Sequence, residues 1–466
     1  MEKMEKRRKL IISLIGSSII FILFVPLFQQ SFRPRSSSPT FDYSRKHQIW
    51  KKRDDARMEG KESMELRLRR LVRGKDLAQL DATGMTCLYD FHFEQCIVNK
   101  PVIIPTNEPL VVYVPSDQPP EKRTLQPYAR REDPTAMKEV TPIQILHGNN
   151  ITHRKNASSY CEVTHEVPAI VFSSGGFIGN VFHELNEIII PLFLTSRHFN
   201  SKVQFVITDY ADWWVFKYKD VLKKLSSFEV LNGDGDGDGR VHCYPAAVFG
   251  LRYHDNLALN SSEIPGGYTV ADFRNFLGET YNLTMKATKK PNKKPKVLLI
   301  SRKETRVLLN EDEMVKMMLN LGFEIHKAKA HEMLYLDTFA QVVNSCDIIV
   351  GAHGAGLTNE VFLRDGAVVV QIVPLALNWA SDTYYGNPAH SMGIEYMEYK
   401  IVAKESSLYD VYGPNDPIIS NPLVVFEQGY RDARSLYIDG QNVTIDLTRF
   451  RGTLIEALKF LGYPIS

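Results

Sequence analysis

Cys346 to Asn359, CDIIVGAHGAGLTN, is the stretch on which the rest of the chain turns. Asp347 to Gly351 is a short apolar run of the kind a strand buried in a parallel sheet needs. It enters a turn carrying Gly351, Gly354 and Gly356, and Glu360 to Phe362 read as the first turn of a helix. A strand, a glycine-rich turn and a helix start present unpaired backbone N–H groups and positive dipole potential. Such a turn can hold an anion such as a diphosphate. Glycine allows the ligand close to the backbone. His353, inside the turn, can donate to a phosphate oxygen. The order is GxxGxG rather than the dinucleotide GxGxxG, which argues against a dehydrogenase. By itself the pattern also fits a tight strand-to-helix turn with no ligand.

The flanking sequence supplies a sheet for this strand. Val297 to Ser301, Phe323 to His326 and Gly366 to Val373 (GAVVVQIV) are further strands. Asn310 and Glu313 have capping-box spacing. They start a helix with Val315, Met318 and Leu319 on its buried face, and Gly322 ends it. Thr338 to Ser345 is a second helix. Short connections between apolar strands predict a parallel, doubly wound sheet, whose ligands sit at the carboxyl ends of strands. Arg302 and Arg306 follow one such end. Arginine forks suit phosphate oxygens, so Arg302, Arg306, His353, Gly354, Ala355, Gly356, Thr358 and Asn359 are the candidate donor-binding residues.

The preceding half has the same alternation. Strands are expected at Leu110 to Val114, Ala169 to Phe172, Val203 to Thr208 and Ala246 to Gly250. Helices are expected at Phe182 to Thr195, kinked at Pro191, and at Trp213 to Phe228. The loop Ser173-Ser174-Gly175-Gly176, then Gly179 and Asn180, leads into His183, Glu184, Asn186 and Glu187. His183, Asn186 and Glu187 share one helical face. A histidine and a carboxylate at a strand's carboxyl end suit a general base and its orienting partner. Glu184 or His183 is the candidate base, with Glu187 and Asp209 in reserve. Gly179 and Asn180 are counted with the donor-binding candidates. The spacing is not HExxH. Asp234 to Gly239, DGDGDG, imitates an EF-hand start, but Pro245 stands where the loop needs Glu, so it reads as a surface loop and no metal site is assigned.

At 466 residues and a net charge of +2, the chain is long enough for two domains and has no nucleic-acid footprint. Lys6 to Lys9 precede an apolar run from Leu10 to Phe28, long enough for about 30 Å of hydrocarbon. This reads as a signal-anchor with the N-terminus cytosolic and the rest lumenal, a cleaved signal being the alternative. Sequons at Asn150, Asn156, Asn260, Asn282 and Asn442 all lie downstream. Of five cysteines, Cys87 and Cys96 can close a short loop and Cys161 can pair with Cys243. Four cysteines allow three pairings, and Cys346 reads as a core thiol. The expected organisation is a tail at 1–9, an anchor at 10–28, a solvated stem at 29–82, a first Rossmann-like domain at 83–290 and a second, phosphate-binding domain at 291–405. A closing segment at 406–466 carries a helix at Thr453 to Leu461. The basic connector Lys286 to Lys296 marks the domain boundary.

SSGGFIGNVFHELNE, VLLISRK and SCDIIVGAHGAGLTNEVFLRDGAVVVQIVP resemble plant members of glycosyltransferase family 61, as do Asn378 to Lys400 and the Cys87/Cys96 spacing. Leu88 stands where that family usually has Asp after the first cysteine. The resemblance covers roughly Thr83 to Ile401. It implies an α/β GT-B architecture of two Rossmann-like domains facing a cleft, anchored in the Golgi membrane as a single-pass type II protein. It implies inverting transfer of a pentose, xylose or arabinofuranose, from a UDP-pentose that is a substrate rather than a cofactor. The acceptor is xylan or another glycan, with Trp379 and Tyr384 as acceptor-binding candidates. Arginines and a helix start would hold the leaving diphosphate without a metal. The N-glycan core β-1,2-xylosyltransferase and a non-catalytic scaffold of a wall-synthesis complex are the alternatives.

Overall fold

The computed structural model describes residues 63–464 except 107–109, 150–160, 235–236, 265 and 287–293. The expected tail and anchor, the stem up to residue 62, and the sequons at Asn150 and Asn156 lie outside those residues. Among the described residues no helix is long and apolar enough to cross a membrane.

The globular body starts at Ser63, earlier than the sequence suggests. Met64–Arg69 and Gly74–Thr83 are helices. Leu68, Leu71, Val72 and Leu80 are buried in the main core, and Arg67 donates to the Phe199 carbonyl at 2.6 Å. Residues 63–82 are therefore part of the folded unit and not a solvated stem.

Among the described residues twelve strands follow before the connector: β1 (Met85–Tyr89), β2 (Glu94–Val98), β3 (Val102–Pro105), β4 (Val111–Pro115), β5 (Glu121–Leu125), β6 (Ile143–Gly148), β7 (Val163–Thr164), β8 (Ala169–Ser173), β9 (Gln204–Thr208), β10 (Leu231–Asn232), β11 (Val241–Tyr244) and β12 (Ala247–Phe249). They form two six-stranded sheets, β1-β2-β12-β8-β9-β10 and β5-β6-β4-β3-β11-β7. In the first, β12, β8, β9 and β10 are parallel, and the β1–β2 hairpin pairs antiparallel to β12. The second is mixed and packs on the first through Val112, Val114, Ile143 and Ile145 against Ala169, Val171, Val206 and Phe249. Only β4 of this second sheet is legible in the sequence. Strands such as EKRTL carry charges and no apolar run.

After the connector come β13 (Lys296–Ile300), β14 (Glu324–Ala328), β15 (Ile348–Ala352), β16 (Val368–Val373) and β17 (Glu395–Lys400). All are parallel, in the order β14-β13-β15-β16-β17. Alternate residues serve opposite faces. Val297 and Leu299 join one core, Leu298 and Ile300 the other. Strand order reverses between β13 and β15, so the crevice above their carboxyl ends is where a ligand belongs.

Four local expectations change. Asn310 precedes the helix Glu311–Asn320 but makes no side-chain cap bond. Its amide instead pairs with the Ile445 backbone in both directions, at 2.8 Å each, tying the closing segment to this sheet. That helix buries Met314 and Met318 and leaves Leu319 53% exposed. The helix with Pro191 runs as Val181–His183, then a π-helical stretch Glu184–Ile189, then Ile190–Ser196. The irregular turn just before Pro191 accommodates the missing N–H. The closing helix is longer than expected, Leu447–Phe460.

Cys87–Cys96 and Cys161–Cys243 are disulfides, and Cys346 is a buried thiol. Cys87 and Cys96 face each other across β1 and β2. One continuous core runs from Ile170 and Phe205 of the first sheet, through Leu185 to Phe193, to Leu298, Ile349 and Val369 of the third. Arg274, on the helix Val270–Tyr281, crosses the same seam. It donates to the Asp365 carboxylate at 2.8 Å and to the Met392 and Leu363 carbonyls.

Candidate active site

The glycine turn leads from β15 into a 3-10 helix, Ala355–Phe362, five residues earlier than the expected helix start. Its glycines have separate duties. A Cβ on Gly356 would lie 2.6 Å from Ile300 Cγ2, so this glycine lets the turn close on β13. Gly354 has φ 147° and ψ 174°, a backbone that is essentially glycine's alone. A Cβ there would lie 2.6 Å from Arg302 Nη1 and 3.2 Å from Arg306 Nη1.

Both guanidiniums thus converge on the turn. Arg302 is braced by the Thr305 carbonyl at 2.8 Å and hydroxyl at 3.0 Å. Arg306 donates to the His353 carbonyl at 2.9 Å, and its Nε has no partner among the described residues. Burial lowers the pKa of both, and the charge of Arg302 adds to the effect at Arg306, which falls to about 10. Two like charges held together behind a glycine turn at a sheet's switch point form a site for an anion.

His353 is buried against Tyr385, with ring centroids 5.5 Å apart. Tyr396 donates to Gln371 Oε1 at 3.1 Å, which turns the Gln371 amide so that its Nε2 donates to His353 Nδ1 at 2.8 Å. Nδ1 is then an acceptor, and Nε2 carries the ring proton. Burial, then the charges of Arg306 and Arg302, hold this imidazole down to about 3, so it is a neutral donor. Gln371 was detectable in sequence as the one polar residue inside GAVVVQIV, since a buried amide needs partners. Thr358 and Asn359 are fully buried, and the Asn359 amide donates back to the Gly356 carbonyl at 2.9 Å. Of the turn, Ala355 and Gly356 are the partly exposed members.

The other half brings a second cluster to this turn. Val181–His183 packs directly on Ala355–Phe362. His183 Nδ1 lies 2.5 Å from Glu187 Oε1, which also accepts from Arg130 at 2.8 Å, while Tyr128 donates to Oε2 at 2.5 Å. Glu187 is fully buried and the His183 side chain is 18% exposed. With Nδ1–H held by the carboxylate, His183 Nε2 keeps a lone pair for a proton. Phe182 meets Tyr384 at 5.3 Å between centroids, and Tyr384 meets Trp379 at 6.1 Å and His353 at 6.4 Å. His183, His353 and the two aromatic candidates therefore gather at one place. Arg130 and Tyr128, in the loop PYARRED, lack any periodic signal and were missed. A clue was Gly176, where a Cβ would strike the Tyr128 ring at 2.3 Å.

Glu184 and Asp209 have other commitments. Glu184 is fully buried: Lys217 and Tyr218 donate to Oε2 at 2.5 and 2.8 Å, and the Gly179 N–H to Oε1 at 3.0 Å. It fastens the glycine loop to its helix. Asp209 accepts from the Thr141 backbone and hydroxyl and from Ser173. Base candidacy therefore passes to His183, with Glu187 orienting it. Asn180 caps the helix by accepting from the Phe182 N–H at 3.1 Å. Among the described residues no group of three His, Cys, Asp or Glu side chains has metal-holding geometry. Asp234 is no loose loop residue, since it accepts from the Asp209 and Tyr210 N–H groups. Asn260 and Asn282 are exposed, whereas the Asn442 amide oxygen accepts from Val307 at 2.9 Å.

The family profile described as Glycosyltransferase 61 matches residues 166–370. The xylan glycosyltransferase MUCI21 of Arabidopsis thaliana is 37% identical over 348 residues, 72% of this chain and 70% of that enzyme. The alpha-1,3-arabinosyltransferase XAT3 of Oryza sativa subsp. japonica is 39% identical over 72% of this chain and 58% of its own length. The rice beta-1,2-xylosyltransferase XYXT1 is 36% identical over 72% of each chain.

Proposed function

We propose that this chain, which belongs to glycosyltransferase family 61, transfers a pentose, xylose or arabinofuranose, from a UDP-sugar onto xylan. It is a glycosyltransferase, as its family and relatives are, and pentose transfer onto xylan is the activity that the names of the relatives support. The observation that carries the site assignment is the convergence of Arg302 and Arg306 on Gly354, opposite the His183–Glu187 pair.

In this reading the diphosphate rests on the two guanidiniums and the N–H groups at Ala355 and Gly356, with His353 Nε2–H as a further donor. An acceptor hydroxyl oxygen forms the new bond to the anomeric carbon as the carbon–oxygen bond to the diphosphate breaks. UDP leaves with the electron pair, and the hydroxyl proton passes to His183 Nε2. Glu187 steadies the imidazolium that forms. Attack opposite the leaving group inverts the anomeric centre. Two arginines supply the counter-charge that a metal supplies elsewhere. We read the two facing halves as a GT-B arrangement, and the chain as a type II protein of the Golgi membrane. The two disulfides favour an oxidising lumen.

The test is transfer by the purified full-length protein from UDP-xylose and UDP-arabinofuranose to xylohexaose, with products read by mass and linkage. One added pentose of inverted configuration, formed equally in EDTA, is the expected result. Transfer only to a trimmed N-glycan, or none from either donor, would overturn the assignment. An absolute need for manganese would overturn the arginine mechanism.

A further inference from the structure

The β1–β2 hairpin holds two aromatic rings in solvent. Tyr89 is 65% and Phe91 62% exposed, whereas Phe93, two residues on, is buried. The hairpin that carries them is braced. The Cys87–Cys96 disulfide crosses the hairpin two residue pairs below its tip. At the tip the Asp90 N–H donates to the Phe93 carbonyl at 3.0 Å, and the Asp90 carboxylate accepts from the His92 N–H at 3.2 Å. The Arg131 guanidinium lies 3.8 Å from the Tyr89 centroid and donates to the Asp90 carbonyl at 3.0 Å.

This tip is continuous with the His183–Glu187 pair. Arg131 adjoins Arg130, the partner of Glu187. In the other direction Phe91 meets His92 at 5.0 Å and His92 meets Tyr253 at 4.8 Å between centroids. The Tyr253 hydroxyl accepts from Asn186, which shares the helical face of His183 and Glu187. Phe91, His92 and Tyr253 thus form an aromatic file from the hairpin tip to Asn186, with Glu132 and Asp90 beside it.

We propose that Tyr89 and Phe91 form a distal acceptor subsite, on which a sugar ring of the acceptor chain stacks some way from the ring that receives the pentose. The inference rests on the functional reading above and adds where the polymer runs. Sugar rings offer C–H faces that lie on aromatic planes while their hydroxyls stay at the polar rim. Exposed rings on a rigid hairpin bind at little ordering cost. The occupant is a pentosan chain, because the loop that sets Arg131 on Tyr89 also brings Tyr128 and Arg130 to Glu187, the partner of the residue that takes the acceptor's proton.

The test is calorimetric titration of the full-length protein, saturated with UDP, by xylohexaose and by xylobiose. Phe91→Ala and Tyr89→Ala should each weaken xylohexaose about tenfold, leave xylobiose and UDP unchanged and keep the melting temperature. Phe91→Trp should restore the affinity. Unchanged xylohexaose binding in both alanine variants, or an equal loss for xylobiose, would overturn the hairpin subsite and leave the functional reading standing. Wild-type protein that binds no xylohexaose would overturn both.

Discussion

Gly354 and Arg302 approach so closely that one methyl group would part them: a Cβ at Gly354 would stand 2.6 Å from the Arg302 Nη1. Gly354→Ala therefore costs backbone strain, of order 1–3 kcal/mol, and pushes a guanidinium out of the anion site. UDP affinity should fall about tenfold to a hundredfold by titration. An alanine variant that binds UDP as wild type does would show that the turn holds no diphosphate.

His183 and Glu184 are neighbours with opposite duties, and mutation should separate them. His183→Ala should lower kcat about 10²- to 10⁴-fold with the donor KM unchanged. Glu187→Gln should fall less far, because the ring stays but loses its orienting charge. Glu184→Gln breaks a buried pair with Lys217, so it should lose about 3–5 kcal/mol of stability and keep its turnover per folded molecule. A stable Glu184→Gln with no turnover would return the base role to Glu184.

Two buried groups give the stability profile opposite slopes. The Glu360 carboxyl is fully buried, and neither oxygen has a partner among the described residues. Burial holds its pKa well above the ordinary 4.5. The native chain keeps this proton where the unfolded chain gives it up, so stability is full below about pH 4.5 and declines as pH rises. Glu360→Gln should raise the melting temperature at pH 7 and give no gain at pH 4. His353, held down to about 3, works the other way. Between pH 6.5 and 3 the unfolded chain takes up a proton that the native chain refuses, so stability falls on acidification by about 1.4 kcal/mol per pH unit. Melting scans of Glu360→Gln and His353→Gln across this range check both slopes.

What was legible in the sequence was the part governed by apolar runs and glycine. β13, β15 and β16 are continuous hydrophobic strands, and their parallel order follows from that pattern and the helices between them. The second sheet left no such trace, because strands like Glu121–Leu125 gain their place from neighbours far along the chain. The same division holds at the site. Arg302, His353 and His183 flank glycine turns and were found, whereas Arg130 and Tyr128 reach Glu187 across 57 and 59 residues and were not. Sequence could group Glu184 with Glu187 but could not sort them, since their partners, Lys217 and Arg130, come from opposite directions. Asn310 looked like a cap because its spacing to Glu313 is right. Its actual partner, Ile445, lies 135 residues away.

The core that passes from Ile170 through Phe193 to Val369, with Arg274 fastened across it, bears on how such enzymes diversify. Chimeras joined at the basic connector would pair a donor half with a foreign acceptor half along a seam whose side chains were fitted to each other. Exchange of sugar preference between relatives is then a matter of a few crevice side chains changed in place, and not of modules shuffled whole.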